Sequence, residues 1–323
     1  VSTATAPAAG EAAAARTPGP RRRRRRSAEA APQTGVRTRA ATAYLLLAPN
    51  LALFALFFLL PLGAALVLSL ARTTGVGPTE WVGLGNYEQL AGDAVFWRSV
   101  VNTAVLVLLT VPASLALGLL LAVLLDKPVR GRAVFRTVFY LPYVLSGVVV
   151  AIAGRWIFNE NIGVVNRVLE AVGLERVAWQ SGAVPAFVSV AVMITWGRLG
   201  FCMVVYLAGL QGVPRELHEA ASLDGASGWQ RFRHVTWPLL RPTTFFLVVM
   251  MVIECFQVFD LVYVMTGGGP GNATQFLPTY AYAVGFGARQ QGLGAAIGMV
   301  MYVLVLAGTV LWWRARKDQE AEA

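Results

Sequence analysis

The chain has 323 residues, of which 56% are hydrophobic and only 14% charged, with a mean hydropathy of +0.59 and a formal net charge of +10. A soluble domain carries about 25% charged residues, so a water-facing surface cannot be built from this composition and an integral membrane protein is predicted. The same numbers exclude a collagen, a disulfide scaffold and a wholly disordered chain.

Residues 1–40 are Ala, Pro, Arg, Thr and Gly with almost no large apolar side chain, and they contain the run Arg21 to Arg26. Such a segment cannot bury enough surface to fold and is expected to be a disordered tail. The Arg run reads as a topology anchor or an anionic-lipid contact. Because the basic residues cluster beside apolar stretches, nucleic acid is not an expected partner. Residues 41–316 form the expected membrane domain, and 317–323 a short C-terminal tail.

Crossing a bilayer takes about 20 apolar residues per helix. Six such stretches follow, at about 44–70, 99–125, 134–158, 184–210, 243–265 and 293–313, so the fold class is an all-α membrane protein of six transmembrane helices. The first three contain Pro61, Pro112 and Pro142, which neighbouring helices can accommodate. With the N-terminus inside, 20 Lys and Arg residues fall inside and six outside, with Arg198 within a span. That bias puts both termini in the cytoplasm. Cys202 and Cys255 lie in apolar segments without a CxxC neighbour, and His218 and His234 form no HExxH pair, so no metal site is signalled.

The stretch between the fourth and fifth spans, Val213 to Pro238, carries several helix-boundary signals. Pro214 suits a first helical position with Glu216 in the first turn, giving a short helix over 215–224. Gly225 suits the left-handed residue after it. Ser227 can cap a second short helix running to about His234. Two short helices under a membrane bundle make a docking element, with Glu219 and Asp224 offering charge to a basic partner and Ala220 and Ala221 allowing close approach. An ordinary capped connector is the simpler reading, but it does not account for so much order in one loop.

Glu219-Ala220-Ala221, followed by Asp224-Gly225 and Pro238, resembles the EAA motif of binding-protein-dependent ABC importer permeases. Trp81 to Tyr87, Asn102-Thr103, Phe139 to Pro142, Leu207 to Pro214, Phe259-Asp260 and Thr266 to Gly271 are similar to the carbohydrate subgroup, the maltose-type and glycerol-3-phosphate-type permeases. The resemblance covers about 44–313, essentially all the membrane part. It implies a subunit of a bacterial plasma membrane sugar importer, paired with a second related permease. Two ATP-binding cassette subunits would dock below, and an extracytoplasmic sugar-binding protein would deliver solute. Glu219, Ala220, Ala221, Asp224 and Gly225 are the positions carried over for coupling to the ATPase. ATP and Mg2+ would belong to those partners, and this chain would bind no cofactor. In keeping with that, the only lysines follow Asp126 and Arg316, so the Gly-Lys-Ser/Thr of a P-loop is missing.

Polar groups within a bilayer are costly and mark pathways or pairs. Glu254, Gln257 and Asp260 recur at one-turn spacing in the fifth span, and Arg198 lies in the fourth, within Trp196 to Phe201. Glu254, Gln257, Trp196 and Phe256 suit a sugar site, which needs hydrogen-bonding groups and a flat aromatic face. A structural ion pair, Arg198 with Glu254, is the equal alternative. Asn102 reads as a helix cap. The Gly267 to Gly271 stretch reads as a flexible turn, with Asn272, Thr274 and Gln275 available to a docked protein. The competing functions are an ion-coupled secondary transporter using Glu254 and Asp260, and a membrane-embedded enzyme, for which no HExxH, GxSxG or close His–carboxylate pair is present.

Overall fold

The computed structural model describes residues 45–321 except Val129. The expected tail at 1–40 lies outside the described residues. The chain divides into two units, residues 1–56 and 57–323. In the first, the described residues form the beginning of helix α1 (Leu45–Ser69), every side chain of 45–56 being exposed.

The second unit is helical except for a two-residue antiparallel pairing, Ala71–Arg72 with Glu80–Trp81. After helix α2 (Gly85–Ala91), helix α3 (Ala94–Asp126) runs unbroken for 33 residues. At 1.5 Å per residue it is about 50 Å long, more than the ~30 Å apolar core of a bilayer. Asp93 caps it, its carboxylate accepting from the Val95 and Phe96 amides at 2.8 and 3.3 Å. Its buried face interleaves the large Phe96, Leu106, Val111 and Leu125 with the small Ser99, Thr103, Thr110, Ser114, Gly118 and Ala122. Without water to expel between helices in lipid, such small residues let backbones pack closely. They do so here, because a methyl group on Gly118 would overlap Cys202 of helix α7 (Ala183–Gln211). Thr103 and Thr110 satisfy their buried hydroxyls on carbonyls one turn back, both at 2.7 Å.

The third expected span, 134–158, is a bent pair: α4 (Arg132–Val144) and α5 (Gly147–Ile157) meet at 101°. Leu145 between them is extended, and Ser146 caps α5 by accepting from the Val148 amide at 3.4 Å. The bend follows Pro142, whose missing amide proton weakens the last turn of α4. The connector after α5 holds helix α6 (Val164–Ala171) and is built on buried Asn166. That side chain donates to the carbonyls of Glu160 and Val177 and accepts from the Val177 amide and the Trp179 indole.

The loop Arg215–Leu239 holds α8 (Arg215–Leu223) and α9 (Gly228–Leu239), the latter passing through a π-turn at Phe232–Thr236. Helix α10 (Arg241–Phe256) leaves α9 at 64°. The fifth expected span, 243–265, stops at Phe256. Gln257 and Val258 close onto the carbonyls three residues back, and α11 (Asp260–Met265) starts afresh. Helix α12 (Leu277–Tyr282) and the long α13 (Gln291–Ala321) complete the chain. Among the described residues, four helices are thus long and apolar enough to cross a membrane, or up to six if each bent pair counts as one span.

Three apolar clusters hold the second unit together. One joins α3, α7 and α10 through Leu125, Met203, Tyr206, Leu240, Leu247 and Cys255. Another joins α5, α7 and α11 through Val150, Met193, Ile194 and Val262. The third joins α2, α12 and α13 through Leu90, Leu277 and Ile297.

Candidate functional site: an exposed helical loop and a polar membrane cavity

The loop helices form because their ends are capped locally. Pro214 is the residue before α8, not its first residue as its chemistry suggested, and Glu216 stands in the first turn. At the other end Gly225 has φ 77°, its amide bonds Ser222 and the Ala226 amide bonds Ala221 at 3.0 Å. These two bonds make a Schellman closure, which needs a residue without a Cβ penalty at Gly225. Ser227 and Gln230 make a reciprocal capping box at the start of α9, at 3.3 and 2.7 Å. Arg231 reaches back to the Ser222 hydroxyl at 2.6 Å, tying α9 to α8. Sequence patterning located both helices and caps but missed this strut.

Glu219, Ala220, Asp224 and Gly225 are all exposed on this pair of helices, and Ala221 is half-buried. Two large apolar side chains join them, Leu223 at 90% exposure and Trp229 at 68%. Trp229 is held by stacking on Phe232, with ring centroids 5.5 Å apart. Charged and apolar groups side by side on a rigid, unpartnered element suit a protein interface.

The second feature lies in the bundle. A cavity of about 290 Å3 opens where the α4–α5 bend faces α7 and the start of α11, lined by Tyr143, Gly147, Gly197, Arg198 and Asp260 among others. Arg198 forms an ion pair with Glu254, their side chains 26% and 17% exposed. The Tyr143 hydroxyl approaches Glu254 Oε1 at 3.5 Å, and its ring stacks on Phe201 with centroids 4.8 Å apart. Asp260 accepts from the Leu261 amide at 2.9 Å. Its carboxylate also covers Gly147 at the start of α5, where a methyl group would overlap it. A helix N-terminus favours negative charge, so Asp260 helps hold the bend.

The helix break after Phe256 puts Asp260 on a separate helix, α11, from Glu254 on α10. Gln257 is exposed just past α10, and Trp196, 37% exposed, does not line the cavity. Phe256 packs instead with the Leu90–Leu277 cluster. Asn102 is not a cap but an interior residue of α3. Its side chain donates to the carbonyls of Asn272 and Gln275, each at 3.0 Å. The Gly-rich turn is correspondingly folded inward: Thr274 and Gln275 are buried, and the Thr274 hydroxyl bonds Thr266 and the Gly269 carbonyl at 2.7 and 2.6 Å. Of that trio only Asn272 remains exposed.

Residues 114–316 match the family described as binding-protein-dependent transport system inner membrane component. The sulfoquinovosyl glycerol transport system permease protein SmoG of Agrobacterium fabrum is 35% identical, over 86% of this chain and 91% of that protein. The trehalose/maltose transport system permease protein MalF of Thermococcus litoralis is 33% identical, over 85% of this chain and 94% of that protein. A solved chain from a bacterial ABC transporter involved in import of the acidic polysaccharide alginate has a similar fold, with a TM-score of 0.76 at 24% identity, covering 88% of this chain and 98% of that one. The chain belongs to the family of binding-protein-dependent transport system inner membrane components, the permease subunits of ABC transporters.

Proposed function

We propose that this chain is one of two related permease subunits of an ATP-driven carbohydrate importer, and that it takes force from the ATPase through α8 and α9. Membership of the family and the sugar permeases among its relatives support the substrate class. The observation that carries the coupling is the exposed, doubly capped pair of helices joined by Arg231 and Ser222. Two ATP-binding cassette subunits bind ATP and Mg2+; this chain binds neither. Glu219 and Asp224 meet basic groups in a cleft of the ATPase, Ala220, Ala221 and Gly225 let the backbones approach, and Leu223 and Trp229 anchor the contact. A binding protein delivers sugar at the opposite end of the bundle, and the termini are cytoplasmic.

The loop is covalently continuous with α7 and α10, and the Tyr206 hydroxyl bonds Thr244 at 3.2 Å where those helices approach. Arg198 lies 13 residues before the end of α7, and Glu254 lies 13 residues after the start of α10. Both are about 20 Å from the loop at 1.5 Å per residue. Displacing the loop therefore moves both members of the pair relative to the α4–α5 bend. Sugar hydroxyls replace the contacts of Arg198 and Glu254 as the cavity opens, and Tyr143 offers the aromatic face. Gln257 and Trp196 are contacts along the pathway beyond the cavity, and Phe256 supports α10 from behind. An ion-coupled transporter would need Glu254 free to exchange a proton or cation, whereas Arg198 already holds it.

Uptake of labelled maltose-type oligosaccharides in cells expressing the whole transporter tests this reading. Asp224→Lys should abolish uptake while the chain stays in the membrane; normal uptake by that variant would remove α8 from the mechanism.

A further inference from the structure

A second polar cavity, of about 210 Å3, has no part in this transport mechanism. Its lining includes Arg72, Thr73, Thr74, Gln89, Arg289 and Gln290. It lies at the end of the bundle away from α8 and α9, three residues beyond the end of α1 and two before the start of α13. The Gln291 amide donates to the Thr73 carbonyl at 3.0 Å, which locks the two segments together. Asn86 braces the same corner by donating to the Ser69 and Ala71 carbonyls at 2.8 and 2.9 Å.

Arg72 and Arg289, from distant parts of the chain, thus line one cavity. Arg72 has a single exposed acidic partner, Glu80 at 3.5 Å. Arg289 has no hydrogen bond or ion pair among the described residues, and neither have the side-chain amides of Gln89 and Gln290. Arg289 also holds a left-handed backbone at φ 56°, which glycine would adopt more easily. A long cationic side chain stands there at some cost in strain. Guanidinium groups recognise phosphate oxygens through paired N–H donors. One turn from Arg72, Leu66, Val67 and Leu68 of α1 expose 47%, 55% and 36% of their surface. A phosphate site at the ends of two spans, next to exposed apolar side chains, matches the layout of a phospholipid.

We propose that this cavity binds the headgroup phosphate of an anionic phospholipid. Arg72 and Arg289 take the phosphate oxygens, Gln89 and Gln290 take headgroup hydroxyls, and the acyl chains lie along Leu66 to Leu68. Glu80 opposes the bound anion through Arg72, leaving one net positive charge at the site.

The test is native mass spectrometry of the intact transporter titrated with phosphatidylglycerol, phosphatidylcholine or inorganic phosphate. One net charge near a headgroup corresponds to about a fivefold preference for phosphatidylglycerol over phosphatidylcholine. Arg289→Gly relaxes the backbone while removing the charge, and should lower the preference about fivefold. Glu80→Gln removes the opposing carboxylate and should raise the preference by roughly another fivefold, a gain that misfolding cannot produce. Unchanged preference in either variant would overturn the proposal. So would displacement of the lipid by inorganic phosphate at concentrations comparable with the lipid's own, which would assign the cavity to free phosphate.

Discussion

Replacing Arg198 by Met leaves the Glu254 carboxylate among apolar neighbours with only Tyr143 to meet it. Both side chains of the pair are less than a third exposed, at 26% and 17%. Removing one member of such a pair costs about 3–5 kcal/mol, because an uncompensated charge stays behind. The Tyr143 contact recovers little of that, being long at 3.5 Å; Tyr143→Phe alone should cost no more than about 1 kcal/mol. The double replacement Arg198→Met with Glu254→Met should regain most of the lost stability, since apolar packing of similar volume often replaces a buried pair without net cost. Thermal unfolding of the purified transporter in detergent, run as a double-mutant cycle, separates these cases. Additive losses in the double variant, or single variants as stable as the parent, would refute the pairing argument. Uptake supplies the second axis: the double variant should fold yet carry little sugar if the pair also serves the pathway.

Asn102→Ala removes both side-chain ties to the 272–275 turn; hydrogen exchange there should rise, with a stability loss of about 1–3 kcal/mol. Unchanged exchange would mean that the turn holds itself. Glu160 accepts from the backbone amides of Ser181 and Gln180 at 2.6 and 2.8 Å, and these bonds lower its pKa from the ordinary 4.5. A lowered folded-state pKa stabilises the connector above that ordinary value and loses its contribution as pH falls through the folded value. Exchange at Gln180 and Ser181 should therefore rise below about pH 4.5, and Glu160→Gln should flatten the dependence. Ser227→Ala breaks the capping box and should cost about 1 kcal/mol locally, read as faster proteolysis within α9 with α7 and α10 intact.

Features set by neighbours in sequence were the ones legible in advance. Gly225 and Ser227 act within a turn of their own positions, so their chemistry gave the end of α8 and the start of α9, whereas α9 runs past the expected His234 to Leu239. The Arg198–Glu254 ion pair is one of two equal readings of charged groups in adjacent spans. The misses share a physical cause. Asn102 finds its carbonyls 170 and 173 residues away, and a short polar side chain looks the same whether it caps a helix or spans to another segment. The break after Phe256 depends on burying Val258 and docking Asp260 against Gly147, neither of which hydrophobic periodicity can reveal. Pro142 reads as a proline that neighbouring helices accommodate within one span, whereas the chain turns by 101° after it and restarts at a cap on Ser146. The apolar spans themselves, read by composition alone, hid both breaks because each half remains apolar.

The proposed coupling through α8 is tested by ATP hydrolysis in the reconstituted transporter with and without sugar-loaded binding protein, comparing the parent chain with Asp224→Ala. The parent should hydrolyse ATP faster when the loaded binding protein is present. Asp224→Ala should lose that stimulation while still co-purifying with its partner permease. Stimulation of the variant equal to the parent's would mean that Asp224 and α8 do not carry the coupling.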